Sequence, residues 1–497
     1  MIDRCEASDL ARSVAERVGS GERFCGIFAT SAATATRLDA VVARDSTLDL
    51  IESALGPESD AYPAITPLVP AASWYERAIH DLFGLRPDGF GRLHPLLLPL
   101  PENEDTRPRP GSSHPVPAIG PDERALPSHV VGEGIFKIPY GPVRSGVFEA
   151  VEYLVETPGE EIPHLWTRVF YKHRGVEKRF EGLSMDDAAL VAERVEGIAS
   201  VAHAIAFSEA IEGASETTVP EPAAFVRVAH AELERIANHL DVAVRLAEAA
   251  GLAVASARFA FHKERTLRLV GAMCGSRFGR NLVRPGGVTR SWMADPGDIF
   301  ATLGALQADV LGDLDALMET DSFLDRLRAT GTIGADTARS HAAVGPIGRA
   351  SAVPTDVRHD RPSAAYEALE APPPRVDERG DALARLSVRC QEVADSFRLS
   401  GGAVDACAKR AGEVAPGDLR RRPPTDLDGF GLGSAEAPQG EVIYAVEMER
   451  GAVVRCWPRS ASFHNLPLFA QAFRGDILTD FAFIEGSFGL STAGVSL

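Results

Sequence analysis

The chain of 497 residues has little cysteine and no long apolar run. Its six cysteines are scattered and form no CxxC pair. Chelating cysteines are close in sequence in most zinc and iron–sulfur sites, so such a site within this chain is not expected. No segment approaches the roughly 20 apolar residues of a membrane span, and the N-terminus lacks the basic-then-apolar layout of a signal peptide. We therefore expect a chain in the reducing cytoplasm.

Positive charge is also scarce. The sequence contains 51 Lys and Arg residues and 70 Asp and Glu residues, which gives a net charge of −19. The electric field of this negative charge repels phosphate, so general binding of nucleic acid or of an anionic membrane is not expected. Hydrophobic residues make up 45% and charged residues 24%, as in ordinary globular proteins. The length allows two or three domains.

The order of predicted elements divides the chain into three parts. Residues 1–98 combine the helical segment "SDLARSVAERV" with the strand-like segments "RFCGIFAT" and "RLDAVVA", which predicts a small α+β domain. Residues 99–128 contain eight prolines and suit an extended linker. Residues 129–497 predict a mainly α-helical bundle with small β-sheets, so the overall fold class is α+β. Its long helices are expected at about 185–212, 221–250, 256–275, 297–327 and 377–408.

One segment of this bundle, "LVAERVEGIASVAHAIAF" (190–207), carries polar residues on a core-facing helix. Its apolar residues recur at helical spacing, and Ser184 is a plausible N-cap. Glu196 and His203 share a face beside the apolar stripe, two turns apart, which is too far for a direct bond along a straight helix. Gly197 lies between them and weakens the helix. The pair fits either a buried core pair or a site.

Three other clusters each have a plain structural explanation. In "HRGVEKRFEG", Arg174 and Glu177 fit a solvated turn. In "HAELERIANHL", Glu232, Arg235 and His239 fit an exposed ion-pair ladder. The segment "RPGGV" by itself indicates only a turn.

Taken together, however, these motifs resemble a known family. "SWYERAIHDLFGLRPDGFGRLHPLLLP" (73–99) resembles the 30-kilodalton-type subunit of respiratory complex I. From about residue 134, the chain is similar to the complex I 49-kilodalton-type subunit and to the large subunit of group 4, membrane-bound [NiFe] hydrogenases of the formate-hydrogenlyase type. The similarity rests on "YKHRGVEKRFEG", "AERVEGIASVAHAIAF", "FVRVAHAELERIANHL", "CGSRFGRNLVRPGGV", "VGPIGRAS", "EAPQGEV" and "FRGDILTDFAFIEGS".

The resemblance implies that a metal site has been lost. In those hydrogenases, two CxxC pairs hold nickel and iron through four thiolates. Here the first pair reads Glu196-Gly197-Ile198-Ala199, and Ser491 and Gly494 match the second. The arginine beside the iron ligands is Gln439. Carboxylate, methyl and hydroxyl groups do not replace soft thiolates, so we expect no metal or other cofactor bound by this chain.

Other positions keep residues that the resemblance associates with proton and electron transfer. Glu177 matches a proton-transfer glutamate. Arg174 and His239 match positions near the proximal [4Fe–4S] cluster of the partner subunit. The tyrosine and histidine that contact quinone in complex I are replaced by Gly197 and Arg144. Quinone binding is therefore not implied.

The resulting hypothesis is a subunit of a membrane-associated, hydrogenase-like or NADH-quinone-oxidoreductase-like redox complex. Glu177, Glu196 and His203 form a candidate proton path in a cavity that is also lined by Arg144, Gln439 and Ser491. The partner that a buried Glu196 needs is expected to be Arg144, Arg174 or a water molecule.

The expected protein partners are a small iron–sulfur subunit and antiporter-like membrane subunits, which would hold the chain peripherally on the inner face of the cell membrane. Two alternatives stay open. One is a non-catalytic structural subunit, and the other is a hydrogenase or formate hydrogenlyase catalytic subunit.

Overall fold

The computed structural model describes residues 2–31, 36–44, 46–56, 59–98, 134–144, 149–410 and 419–497. Helices account for 48% and strands for 20%, which confirms the predicted α+β class. The predicted linker (99–128) lies outside the described residues, and the three domain boundaries stay predictions. Among the described residues, no helix combines the length and the apolar character needed to cross a membrane.

The N-terminal part is a small sheet with helices, as predicted. Strand β1 pairs in parallel with β4, and β4, β3 and β2 continue the sheet in antiparallel order. Helix α1 packs on this sheet through buried Leu10 and Val14. The elements in chain order are β1 (Ile2–Glu6), α1 (Leu10–Gly19), β2 (Arg23–Ser31), β3 (Thr36–Arg44), β4 (Thr47–Leu55), β5 (Ala61–Pro63), α2 (Ser73–Phe83) and β6 (Arg86–Asp88).

The second part opens with an antiparallel sheet and continues with helices, again as predicted. The sheet consists of β7 (Phe136–Tyr140), β8 (Glu152–Thr157) and β9 (His164–Arg168). The helices and short strands that follow are α3 (Val176–Phe180), α4 (Met185–Ala192), α5 (Ser200–Ala214), α6 (Glu221–Ala249), α7 (Ala253–Cys274), β10 (Val283–Arg284), β11 (Gly287–Val288), α8 (Pro296–Met318), α9 (Asp321–Leu327), α10 (Ala335–Ser340), α11 (Gly345–Arg349), α12 (Val357–Asp360), α13 (Ala364–Ala368) and α14 (Ala382–Arg410).

Helix α6 is the centre of this bundle. It packs against α7 and α14, and its apolar residues form one buried cluster with theirs. The predicted helices at 221–250, 256–275 and 377–408 are confirmed in position. The one predicted at 297–327 is two helices, because the chain turns at Glu319 and Thr320 between α8 and α9.

The predicted continuous helix at 185–212 is wrong. Ser184 caps α4 as predicted, with its Oγ accepting the Asp187 N–H at 3.2 Å, but the chain leaves the helix after Ala192 and begins α5 at Ser200. The Glu234 carboxylate of α6 accepts the N–H groups of the two residues that follow Ser200, at 2.8 and 3.1 Å. A helix terminus needs such partners for its free N–H groups, and here they come from another helix.

The C-terminal sheet has three strands, as its small size in the prediction allows. The glycine-rich segment before "EVIYAVEME" forms β12 (Gly429–Ala437), which pairs with β13 (Gly440–Glu449), and β13 pairs with β14 (Ala452–Arg459). A Cβ at Gly431 or Gly433 would overlap the backbone of α5. Glycine is therefore required because the helix lies directly on the strand. The chain ends with α15 (Ala461–Asn465), α16 (Phe481–Phe488) and α17 (Thr492–Val495).

The two parts share a core. Phe28 of β2 stacks on Trp457 of β14 with ring centroids 4.7 Å apart. The Tyr75 hydroxyl lies 2.6 Å from His464 Nδ1. These contacts place the N-terminal part against the C-terminal sheet that supports the candidate site.

Candidate functional site

The candidate site is built around the interruption between α4 and α5, where Glu196 is buried with 1% exposure. A surface position for Glu196 is therefore excluded. Its Oε1 lies 3.0 Å from His203 Nε2, and Ser462 Oγ donates to its Oε2 at 3.3 Å. The expectation that His203 lies too far away for a bond is wrong, because the broken helix folds the two residues together.

His203 continues the contact to a third residue that the sequence did not single out. Its Nδ1 lies 2.8 Å from the hydroxyl of Tyr444 on β13. Burial raises the pKa of Tyr444 well above its ordinary value, and the charges of Cys456 and Glu196 act in the same direction. A buried tyrosine hydroxyl needs a hydrogen-bond partner. The sequence signal was a tyrosine within the apolar run 442–446 of strand β13.

The two ends of this chain of hydrogen bonds allow two proton arrangements. With Glu196 ionised, His203 Nε2–H donates to the carboxylate and Nδ1 accepts from the Tyr444 O–H. With Glu196 protonated, its O–H donates to Nε2 and Nδ1–H donates to the tyrosine oxygen. Because neutral imidazole carries one donor and one acceptor, the ring fits both arrangements.

Two of the positions predicted to correspond to hydrogenase thiolates, Ser491 and Gly494, lie beside Glu196. Ser462 Oγ accepts the Ser491 N–H at 3.1 Å and also donates to Glu196. A Cβ at Gly494 would overlap the Glu196 carboxylate, so the carboxylate fills the space beside that glycine. Ala199 is fully buried.

This donor set does not fit a thiolate-held nickel–iron centre. Of the four positions, only Glu196 and Ser491 carry polar side chains, and both are engaged, Ser491 Oγ with Glu149 at 2.6 Å. Across the described part of the chain, no three His, Cys, Asp or Glu side chains cluster in a way that could hold a metal ion.

Glu177 lies apart from the Glu196–His203 pair. Its carboxylate is 2.6 Å from Arg455 Nη1 and is partly exposed. The buried Cys456 thiol is next to this ion pair. Burial raises the pKa of the thiol well above the ordinary value, the charge of Arg455 lowers it and that of Glu177 raises it further. The charge of Cys456 also acts on Tyr444, so the thiol is near both Glu177 and the tyrosine.

Arg144, which was predicted to line the cavity, has other surroundings. Both terminal nitrogens of Arg144 donate to Glu485, at 2.9 and 2.7 Å, and the guanidinium lies over the rings of Tyr140 and Tyr153. The expectation that Arg144 is the partner of Glu196 is therefore wrong. Gln439 is fully buried, and neither its Oε1 nor its Nε2 has a hydrogen-bond partner among the described residues.

Arg174 and the interrupted segment are tied to the C-terminus. Arg174 is exposed, and its guanidinium donates to the carbonyls of Val195 and Ala493 at 2.6 and 2.7 Å. It thus holds the segment of Glu196 against α17. It does not bond to Glu196 itself, which corrects the expectation of an arginine partner.

The predicted exposed ladder of Glu232, Arg235 and His239 is wrong, because all three are buried. Arg389 donates to His239 Nδ1 at 3.1 Å, so Nε2 carries the proton and donates to Glu392 at 2.8 Å. Burial lowers the pKa of His239 to about 3. His239 is therefore neutral at neutral pH.

Glu232 is the carboxylate at the centre of the same helix, and its partners are cations. It lies 3.2 Å from Arg235 and 3.1 Å from Arg358, and it also accepts from Ser396. Burial alone would raise the pKa of Glu232, but the two arginines outweigh it and lower the pKa to about 2. Charges this deeply buried persist only when paired and hydrogen-bonded.

Comparison with known proteins agrees with this architecture. Residues 9–110 match the family of the 30 Kd subunit of respiratory-chain NADH dehydrogenase, and residues 253–428 match the family of its 49 Kd subunit. The chain carries the 30 kDa and 49 kDa domains of complex I fused in one polypeptide.

The relatives are subunits of membrane-bound hydrogenase and NADH-quinone oxidoreductase complexes. The chain is 29% identical to formate hydrogenlyase subunit 5 of Escherichia coli (strain K12), over 86% of this chain and 75% of the relative. It is 26% identical to the C/D 2 subunit of the NADH-quinone oxidoreductase of Aquifex aeolicus (strain VF5), over 86% and 82%. A solved structure of the membrane-bound sulfane sulfur reductase, an archaeal respiratory membrane complex, shares the fold at a TM-score of 0.68 and 22% identity, covering 74% of this chain and 100% of that one.

Proposed function

We propose that this chain is a peripheral subunit of a membrane-associated redox complex and that it moves protons through Glu196, His203 and Tyr444. It docks a small iron–sulfur subunit, whose [4Fe–4S] cluster carries the electrons, and is held by antiporter-like membrane subunits on the cytoplasmic face of the cell membrane. The chain itself binds no metal or other cofactor and no nucleic acid. The proposal of such an assembly is supported by the relatives, which belong to complexes of this kind.

The observation that carries the proton-transfer proposal is the unbroken chain of hydrogen bonds that begins at Glu196. A proton that arrives at the Tyr444 oxygen releases the hydroxyl proton to His203 Nδ1, and the Nε2 proton passes to the Glu196 carboxylate. One proton enters and one carboxylate is neutralised, so the charges balance. The two links of 2.8 and 3.0 Å need no movement of the backbone.

Glu177 supplies the outer end of the same path. It is a partly exposed carboxylate, and the buried Cys456 thiol is near both it and Tyr444. In this proposal protons reach Glu177 from solvent and continue to Tyr444 through water. In this role the ion pair with Arg455 holds the Glu177 carboxylate in place.

Arg174 and His239 contribute to the docking face rather than to the path. Arg174 is exposed beside the Glu196 segment, so its charge is available to an acidic or cluster-bearing partner. His239 is buried and neutral, so the positive charge near it belongs to Arg389. We therefore assign His239 a positioning role between Glu392 and Arg389.

The experiment uses an affinity-tagged chain purified with its complex from membranes. Glu196→Gln keeps the shape of the side chain but cannot ionise, and Tyr444→Phe removes the relaying hydroxyl. Both variants should keep the full set of subunits and lower viologen-linked turnover by roughly tenfold or more, within the range of a lost proton-transfer group. Ser462→Ala is the matched control, because it removes a hydrogen bond to the same carboxylate without interrupting the path.

The three candidate functions give different outcomes. Full turnover in both variants, with assembly intact, contradicts proton transfer and favours the purely structural subunit. Hydrogen evolution together with one nickel per chain would favour the hydrogenase or formate hydrogenlyase alternative. That alternative has the support of the relatives' names, whereas the donor set around Glu196 argues against it.

A further inference from the structure

A cavity separate from the Glu196 site lies between the start of α5 and the facing sides of α6 and α7. Its volume is about 90 Å³, which is below the range of pockets for drug-sized ligands, so only a small molecule fits. Leu233 and Val270 in its walls are almost fully buried, whereas Phe278 is exposed at one end. The walls are mostly apolar and include Val201, Leu233, Leu267, Val270 and Phe278.

One polar group in this cavity lacks the partner that its burial demands. His230 is 1% exposed, and its Nδ1 lies 2.9 Å from the carbonyl oxygen of Val226. A carbonyl only accepts, so Nδ1 carries the proton and Nε2 presents a lone pair. No described residue donates to Nε2. A buried acceptor without a partner is destabilising.

The position of this acceptor is fixed. The imidazole of His230 stacks on Trp292, with ring centroids 5.6 Å apart and planes 21° from parallel. Burial lowers the pKa of His230 to about 4, so the ring is neutral at neutral pH. Nε2 is thus a rigid acceptor rather than a cation.

Asn238 repeats this arrangement further along α6. It is 6% exposed, lines the same cavity, and its Oδ1 has no partner among the described residues. His230 and Asn238 are eight residues apart, or roughly 12 Å along the helix. The cavity therefore offers hydrogen-bond acceptors at two separated points of an apolar surface.

The charged side chains that line the cavity are already engaged. Asp241 pairs with Lys263 at 2.6 Å, and Arg277 pairs with Glu264. Glu234 accepts the first-turn N–H groups of α5 through both of its oxygens. Among the described residues of the lining, no free charge is left for an ionic ligand.

We propose that this cavity binds an uncharged, largely apolar small molecule that donates an O–H or N–H to His230 Nε2. The specificity comes from contact with the apolar walls and from one directed hydrogen bond. The inference rests on this cavity alone and is independent of the proposed function.

The test uses two probes of nearly equal shape and the full chain. Phenol donates a hydrogen bond, whereas toluene, which has a methyl group in place of the hydroxyl, cannot. Calorimetry should show one phenol bound per chain, with a Kd roughly tenfold lower than that of toluene, because a hydrogen bond of this kind contributes about 1.4 kcal/mol. His230→Phe should abolish the preference, and His230→Gln, which keeps an acceptor, should retain part of it.

Ala237→Phe provides a second variant that leaves His230 unchanged. Ala237 lines the cavity, so a benzyl group there should fill it and abolish binding of both probes. Equal affinity of the parent chain for the two probes would overturn the proposal. So would binding that Ala237→Phe leaves unchanged, because the probes would then occupy another place.

Discussion

A methyl group added at Gly494 tests the geometry of the candidate site directly. The Cβ of Gly494→Ala would overlap the Glu196 carboxylate and come within 3.1 Å of Ser460 Oγ. The backbone at this position does not require glycine, since its φ is not in the left-handed region. Any destabilisation therefore reports the contact between the two residues.

The expected magnitude follows from what has to move. If the carboxylate gives way, its bond with His203 is lost in a buried environment, at a cost of about 1 to 3 kcal/mol. If α17 shifts instead, overpacking costs a similar amount, about 1 to 3 kcal/mol. We expect Gly494→Ala to lower the free energy of unfolding by about 2 to 6 kcal/mol where both responses contribute. In a Glu196→Ala background the methyl keeps only the tight contact with Ser460 Oγ and should cost about 1 kcal/mol.

The assay is urea unfolding of the full chain for the parent, both single variants and the double variant. The coupling free energy should be at least about 1 kcal/mol. Gly312→Ala is the matched control, because Gly312 lies in α8 and no neighbouring atom lies within 4 Å of the position that the added methyl would take. This control should be neutral or slightly stabilising. Additive single effects, within about 0.5 kcal/mol, would refute the contact between residues 196 and 494.

Two further predictions concern metal content and acid stability. When the complex is expressed with nickel supplied, this chain should bind no stoichiometric nickel or iron. Restoring cysteines at positions 196 and 199 alone should not create metal binding. One nickel per chain retained after chelation and gel filtration would contradict the prediction. The pKa of Glu232 is lowered from 4.5 to about 2, so its stabilisation, about 3 kcal/mol, is complete above pH 4.5 and is lost as the pH falls through 2. Glu232→Gln should therefore be less stable than the parent at pH 7 in urea unfolding, and the difference should narrow as the pH is lowered below 4.5. A difference that does not depend on pH would show that the charge of Glu232 has no part in it.

The sequence determined the class of fold and the positions of the main helices. Apolar residues recur along α6 at Val226, Leu233 and Leu240 with the spacing of a buried helix face, and the structure buries all three. Such periodicity is local, so it can be recognised without knowing the partner. The absence of CxxC pairs was likewise evident from the sequence.

The sequence misjudged the segments whose conformation depends on distant residues. The break before α5 is supported by the carboxylate of Glu234 on another helix, and no local pattern reveals that contact. The glycines of β12 suggested a loop, whereas Gly431 and Gly433 allow α5 to lie on the strand. The charged residues of α6 were predicted to be exposed, because the sequence does not reveal that their partners come from α12 and α14.

The candidate site shows the same division most clearly. The sequence alone identified Glu196 and His203 as unusual residues beside an apolar stripe, and it marked Ser491 and Gly494 as the counterparts of lost thiolates. Only the tertiary structure decided that the interrupted helix brings His203 to Glu196, that Tyr444 extends the pair, and that Arg144 bonds to Glu485 instead. Hydrogen bonds between side chains depend on distances of a few ångströms, and those distances are set by packing between elements far apart in the chain.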